Sequence, residues 1–383
     1  MDVCVIGAGN VGRGIIRDML ESDKDFKIKA FDVYKPSLVE AQKFDPDRVA
    51  IDTLDAGDTN AVRDAIKGSS LVVNTTDGTQ CLTILDGAIA AGVNYIDVHG
   101  TLLVNERLAR HDAAKAAGIT AMIGMGCSPG ATNMLGAYGA RNVSGKICVD
   151  VEYVTHRPLN PSLGLLETGL RQFYTHIRAP LYEDGVLKEM MPFDGHKIVT
   201  FPTIDEDVEL IYTPHSEPQT IPLFVKGLSR VSVRGTYHPE MMKLLRALYD
   251  FGLLDNSRTV TVDGVQHDFR PLLKEALMGD GLPRPAGLKL KYILRVVVTG
   301  EEAGLTRRKE IVMGNPDGWD PLPQGRMTSL PTSFAAQLIA KKELVSPGVC
   351  GPELMEDGQV EACLEHLRSR GLWVDITEST SNR

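Results

Sequence analysis

The chain lacks any apolar run approaching the roughly twenty residues that a membrane-spanning helix needs, so no span and no membrane partner are expected. It also lacks a basic excess. Its 41 Lys and Arg stand against 50 Asp and Glu, a formal charge of −9, and nucleic acid or an anionic membrane wants the opposite sign. Cysteine is sparse: Cys4, Cys81, Cys127, Cys148, Cys350 and Cys363 form no Cys-x-x-Cys pair. That spacing suits neither a zinc site nor a disulfide framework, so no metal is expected. The thiols read as small buried side chains, and only Cys127, beside a glycine-rich turn, is a candidate for chemistry. The first strand begins almost at Met1, which leaves no room for a leader and makes the cytoplasm the expected compartment. Internal repeats and low-complexity tracts are also missing.

What is present is an ordinary globular composition, 43% hydrophobic and 24% charged over 383 residues, enough for two domains with their own cores. Near the start, Val3-Cys4-Val5-Ile6 reads as a buried strand. It runs into Gly7-Ala8-Gly9-Asn10-Val11-Gly12 and then an apolar helix through Ile15, Ile16, Met19 and Leu20. A second strand, Lys27–Phe31, ends in Asp32. Each glycine has a task in holding a dinucleotide. Gly7 permits the tight turn, Gly9 lets the backbone approach a pyrophosphate, and Gly12 lets the helix pack on the strand. The helix N-terminus offers unpaired N–H groups to the phosphates. Asp32 suits the ribose hydroxyls and repels a 2′-phosphate, which favours NAD; Lys35 leaves NADP open.

Strand and helix signals then alternate. Pro36–Lys43 reads as a helix, Val49–Ile51 as a strand ending at Asp52–Asp55, and Thr59–Ile66 as a helix capped by Asp58. Strand Ser70–Asn74, helix Leu82–Ala91, strand Tyr95–Val98, helix Asn105–Ala117 and strand Ile119–Ile123 follow. This alternation predicts an α/β, Rossmann-type doubly wound parallel sheet over residues 1–125. Near Lys146 the pattern changes. Ile147–Val154 alternates with period two, as an antiparallel strand with one open face does. Further strands are expected at Lys197–Pro202, Ser229–Arg234, Arg258–Val262 and Tyr292–Thr299, and helices at Leu165–Tyr174, Pro239–Phe251 and Leu272–Met278. Residues 126–330 thus read as an inserted α+β substrate-binding and dimerisation domain. Residues 331–376, with helices at Thr332–Lys341 and Val360–Arg370, are expected to return to the first domain, and 377–383 to form a loose tail.

Ligands of open parallel sheets bind beyond the carboxyl ends of the strands. That rule nominates Gly7, Gly9, Asn10, Val11, Gly12, Asp32, Asp55, Asn74, Thr75 and Thr76 for the cofactor. Asp97 and His99, two apart at a strand end, point the same way and are candidates for acid–base work; an Asp that caps and a solvent-facing His are the plain alternative. In Gly124–Asn133, Ser128 followed by Pro129 reads as a helix N-cap with proline at the first position, a place for a substrate carboxylate or the nicotinamide amide; a tight inter-domain turn is its plain alternative. Arg234 offers the planar fork that grips carboxylates; an ion pair is its other reading. His156 and Glu217 are further cleft candidates.

The stretches Gly7–Gly12 with Asp32, Asn74-Thr75-Thr76, Tyr95-Ile96-Asp97, Gly126–Asn133, Val231–Thr236 and Pro347–Glu353 resemble, in order, those of the saccharopine dehydrogenase-like family. The family includes saccharopine reductases, lysine 6-dehydrogenases and carboxynorspermidine dehydrogenases. The resemblance implies a homodimer and hydride exchange between a nicotinamide cofactor and an amine or imine carbon of an amino-acid substrate. By that resemblance Arg234 holds the substrate carboxylate; the amine must be neutral before hydride leaves, and Asp97 or His99 is the expected base. Residues 234–239 read Arg-Gly-Thr-Tyr-His-Pro where saccharopine reductases carry Arg-Tyr-x-Gly-His, which tells against saccharopine itself. Two alternatives stand: a homospermidine-synthase-like transferase that borrows hydride through bound NAD, and a non-catalytic nucleotide-binding protein.

Overall fold

In the first of two compact units, strands β1 (Asp2–Ile6), β2 (Lys27–Asp32), β3 (Val49–Thr53), β4 (Leu71–Asn74), β5 (Asn94–Asp97) and β6 (Thr120–Met122) all run parallel. Their order is β3-β2-β1-β4-β5-β6, and Gly348–Cys350 adds a seventh strand beside β6. The order reverses between β1 and β4, where two crossovers leave in opposite directions and open a crevice. The central strands β1, β4, β5 and β6 are buried on both faces, as a parallel sheet between helices requires, whereas the edge strand β3 is largely exposed. Helix α1 (Asn10–Ser22) buries Gly12, Ile15, Ile16, Met19 and Leu20, the stripe expected of it. Asp58 caps Thr59–Ile66 by accepting from the N–H groups of Asn60 and Ala61. The computed structural model describes residues 1–141, 143–160, 162–255, 257–278, 287–302 and 304–381.

The second unit is built on a mixed nine-stranded sheet. Ser144–His156 lies at its centre, parallel to Leu228–Tyr237 and antiparallel to Lys291–Glu302. Leu305–Gly314 and Trp373–Ser381 continue one side, and Val208–Tyr212 with Lys197–Val199 the other. The hairpin Ala179–Glu183 with Val186–Met190 joins Leu228–Tyr237. Helices Leu163–Arg171, Pro239–Asp250 and Phe269–Met278 supply a core through Leu166, Leu170, Leu245 and Leu273.

Several expectations are corrected. The central strand has no open face: residues from Val149 to Thr155 are buried on both sides. Its polar positions are covered because Asp150 is matched by Arg230 and Ser232, and Glu152 by Lys197 and Arg295. Charge pairing lets an alternating strand sit inside. The predicted helix at 105–117 is two short ones, Val104–Leu108 and His111–Ala116. The tail is ordered as strand as far as Ser381, with 382–383 outside the described residues. The first compact unit takes in residues 1–142, 223–226 and 324–374. Helix Ala131–Ala140 stays there because Asn133 and Arg141 bond to the 353–357 segment.

Candidate functional site

The turn after β1 has the shape that a bound dinucleotide requires. Gly7 has φ +100°, and a Cβ there would sit 2.7 Å from the Thr75 carbonyl carbon. At Gly12 a Cβ would lie 1.9 Å from the Gly7 oxygen, so α1 leaves the turn at a distance that only glycine permits. Gly9 differs: a Cβ there meets nothing within 4 Å. The space above Gly9 is therefore open, the cradle into which a pyrophosphate fits. No side chain caps the N-terminus of α1, which leaves N–H donors of Asn10, Val11 and Gly12 for an anion. The residues present fit a nicotinamide dinucleotide.

Asp32 at the end of β2 accepts from the Ala8 N–H at 2.7 Å and from the Tyr34 N–H at 2.9 Å. These bonds fix the carboxylate beside the turn and leave it further lone pairs for ribose hydroxyls. Lys35 is exposed at the start of the next helix. Asp55 is exposed and closes its own turn on the Gly57 N–H. Thr75 donates its hydroxyl to the Gly7 carbonyl at 2.6 Å, tying the β4 loop to the glycine turn. Asn74 corrects the reading from sequence. It is fully buried, donates to the Tyr95 hydroxyl and accepts from the N–H and hydroxyl of Thr76. Its side chain is spent behind the loop, where it shapes the site without facing a ligand.

Asp97 is corrected more sharply. It is fully buried and accepts from Arg107, the Tyr95 hydroxyl, the His99 N–H and the Gly124 N–H. Burial pushes the carboxyl up, but the Arg107 charge, then His99 and the Gly124 N–H, outweigh it and hold it below its ordinary value. A carboxylate so saturated is a strut and not a proton acceptor. It fixes the backbone of His99 and, through Gly124, the start of the second glycine-rich loop. His99 itself lies against the β4 loop, its Nδ1 3.2 Å from where a Cβ on Gly78 would be.

The second loop packs on the same segment: a Cβ on Gly100 would fall 1.8 Å from Pro129 Cγ. Ser128, half-buried, is therefore close to residues 97–100. It is not the helix cap. The helix begins at Ala131, and the Gly130 N–H is satisfied by the Asn133 side chain at 2.9 Å. Asn133 in turn donates to Glu353 at 2.7 Å, joining two motifs far apart in sequence. Cys127 is buried, and burial pushes its thiol well above the ordinary value. That removes it as a nucleophile.

In the second unit the candidate residues do not converge. Arg234 stands in register with Glu152, whereas Tyr153 stands in register with Gly235. Neighbouring residues of a strand face opposite sides. Arg234 is therefore on the face away from Tyr153. It donates to the Gly195 carbonyl, Ser232 and the Tyr212 hydroxyl, and its guanidinium lies 4.1 Å from the Tyr212 ring centroid. It acts as a clamp on the 195 loop, which corrects its reading as a carboxylate grip. His156 shares that face, near the strand end, with its ring 5.1 Å from His238. Burial first, then the charges of His238 and Lys291, push its imidazole down to about 4. Glu217, fully buried, is on the Tyr153 side: its Oε1 lies 3.7 Å from His215 Nδ1, and His215 stacks on Tyr153. Arg107 and His215 escaped the sequence reading, and Tyr95 and Glu353 entered it only inside motif stretches, without a role of their own. A lone Arg or Tyr inside a helix or strand carries no spacing signal that separates a buried partner from a surface residue.

Sheet order, glycine turn and acid at β2 together define a dinucleotide-binding α/β unit joined to a mixed-sheet unit. Residues 3–122 match the family described as saccharopine dehydrogenase NADP binding domain. Carboxyaminopropylagmatine dehydrogenase of Synechocystis sp. is 25% identical, covering 76% of this chain and 74% of its own. Saccharopine dehydrogenase (L-Glu forming) of Saccharomyces cerevisiae shares the fold over 99% of both chains, with TM-score 0.69 and 14% identity. Homospermidine synthase of Legionella pneumophila, solved with NAD, does so over 100% of this chain and 92% of its own, with TM-score 0.66 and 12% identity. No helix among the described residues is long and apolar enough to cross a membrane.

Proposed function

We propose that this protein is an NAD(P)-dependent oxidoreductase that exchanges hydride with a carbon bearing nitrogen in a carboxylated amine, NAD being the preferred cofactor. The open cradle over Gly9, framed by Gly7, Gly12 and Asp32, carries the cofactor half of this reading. The substrate half rests on similarity to carboxyaminopropylagmatine dehydrogenase over most of both chains. The nicotinamide ring, when bound, supplies the hydride chemistry. The amine must be neutral before hydride leaves the adjacent carbon. In this reading His99 takes that proton, held by the bond from its N–H to Asp97. Ser128, in the second glycine-rich loop of the first unit, remains as a substrate contact in this reading. A homodimer in the cytoplasm completes the proposal.

The test is NADH or NADPH formation with lysine, saccharopine and carboxyaminopropylagmatine, each with both cofactors. Net reduced cofactor from one amine is expected. Turnover without net NADH would instead favour the hydride-borrowing transferase, and dinucleotide binding without any turnover would favour a non-catalytic protein. His99→Gln is expected to lower kcat and remove the acidic limb of its pH profile while leaving NADH affinity unchanged. Retention of kcat and of that limb would remove His99 from the mechanism.

A further inference from the structure

Arg13 stands one turn into α1, where its N–H bonds to the Gly9 carbonyl at 2.9 Å. Its side chain folds back over the glycine turn. Nη1 donates to the Ala8 carbonyl at 2.9 Å and Nη2 to the Asn10 side-chain oxygen at 3.0 Å. Ala8 is thus held at both ends, its carbonyl by Arg13 and its N–H by Asp32. Both acceptors of Arg13 are neutral. Among the described residues no carboxylate lies within ion-pairing distance of it, the exposed Glu40 carboxylate acting on it from further away, whereas Arg17 in the next turn pairs with Glu21. A cation in the first turn of a helix faces the positive end of the dipole, an arrangement that costs free energy. The first turn of α1 holds no acidic residue to offset it, and no side chain caps the helix. Helix end and guanidinium therefore bring positive charge to one turn, beside the open space over Gly9.

We infer that Arg13 binds a phosphate group of the dinucleotide. The inference rests on the proposed cofactor and adds to it a residue outside the glycine motif. Two of the five guanidinium N–H groups are used within the turn, so three remain for phosphate oxygens. The bonds to Ala8 and Asn10 hold the fork in place before the ligand arrives, which lowers the entropy cost of binding. The phosphate is the pyrophosphate shared by NAD and NADP or the 2′-phosphate of NADP alone, and affinity measurements separate the two.

NADH, NADPH and adenosine are titrated by calorimetry into the wild-type chain and the Arg13→Ala, Arg13→Lys and Arg17→Ala variants. Arg13→Ala is expected to weaken each dinucleotide whose phosphate it holds roughly ten- to hundredfold, the worth of one charge-assisted bond, and to leave adenosine unchanged. Arg13→Lys recovers part of the loss, and Arg17→Ala binds as wild type. An equal loss for NADH and NADPH assigns Arg13 to the pyrophosphate, and a loss confined to NADPH assigns it to the 2′-phosphate. NADH and NADPH affinities both within twofold of wild type in Arg13→Ala, or an equal fall for adenosine, would overturn the inference. A wild-type chain that binds neither NADH nor NADPH would refute the cofactor reading itself, a failure distinct from that of Arg13.

Discussion

Arg107 Nη1 lies 2.8 Å from both carboxylate oxygens of Asp97, and neither side chain reaches water. The other end of the guanidinium donates to the Leu102 carbonyl at 2.9 Å. The pair therefore ties the end of β5 to the segment that follows it. Through the Gly124 N–H it ties the same point to the second glycine-rich loop. An ion pair at such depth gains little net stability, but it is costly to break on one side only.

Asp97→Asn is accordingly expected to destabilise the fold by about 3–5 kcal/mol, because Arg107 is left buried and charged without a partner. The double variant Asp97→Leu/Arg107→Met should recover much of that loss, since no charge is then stranded. Urea midpoints of the wild type and the two variants check this. A stable Asp97→Asn protein that had lost only turnover would instead make Asp97 a catalytic residue.

Gly9 and Gly12 make a matched pair of tests. Gly12→Ala drives a methyl group into the Gly7 carbonyl and should cost about 1–3 kcal/mol of stability as α1 is forced away. Gly9→Ala meets open space, so it should fold as wild type and bind NADH at least about tenfold more weakly, since the methyl occupies the pyrophosphate cradle. Thermal unfolding with and without NADH separates the two outcomes. Equal NADH affinity in Gly9→Ala and wild type would mean that the cradle is not the binding site.

The nucleotide-binding half was legible because its signals are local. A glycine at φ +100° and a helix within reach of the turn leave their mark at fixed spacing, as Gly7 and Gly12 do. The seventh strand, Gly348–Cys350, was not legible, since a three-residue strand joining β6 from far along the chain has no period to read. Nor was the role of Asp97, because its partner Arg107 sits in a short helix whose pattern is that of any surface turn. Arg234 misled for a related reason. Its residue type promises a carboxylate, but its face of the sheet is set by register with Glu152, which only the pairing of three strands reveals.

In the proposed reading, Asp32 sets the cofactor preference by charge and hydrogen bonding. Its carboxylate is held against Ala8 at 2.7 Å, so a 2′-phosphate would approach a fixed negative charge. Asp32→Ala should weaken NADH roughly ten- to hundredfold and strengthen NADPH relative to NADH, with Lys35 then free to attract the extra phosphate. Titration of both reduced cofactors measures the ratio. Tighter binding of NADPH than NADH by the wild-type chain would reverse this assignment of Asp32.

His156 gives the second unit a pH dependence of known sign. In the folded chain its imidazole is pushed from 6.5 down to about 4, first by burial and then by the charges of His238 and Lys291. The unfolded chain therefore takes up a proton at His156 before the folded chain does. Linkage then requires the contribution to be present above about pH 6.5 and to be lost as pH falls toward 4. His238 stacks edge-on against the ring, and Lys291 stands opposite it in register and pairs with Asp317 at 2.6 Å. The cation beside the ring is thus already neutralised, and burial governs the shift. Urea midpoints should decline between pH 6.5 and 5, a range above the ordinary carboxylate values. In His156→Gln that decline should be shallower. An unchanged slope in the variant would show that His156 titrates in the folded protein as it does in the unfolded chain.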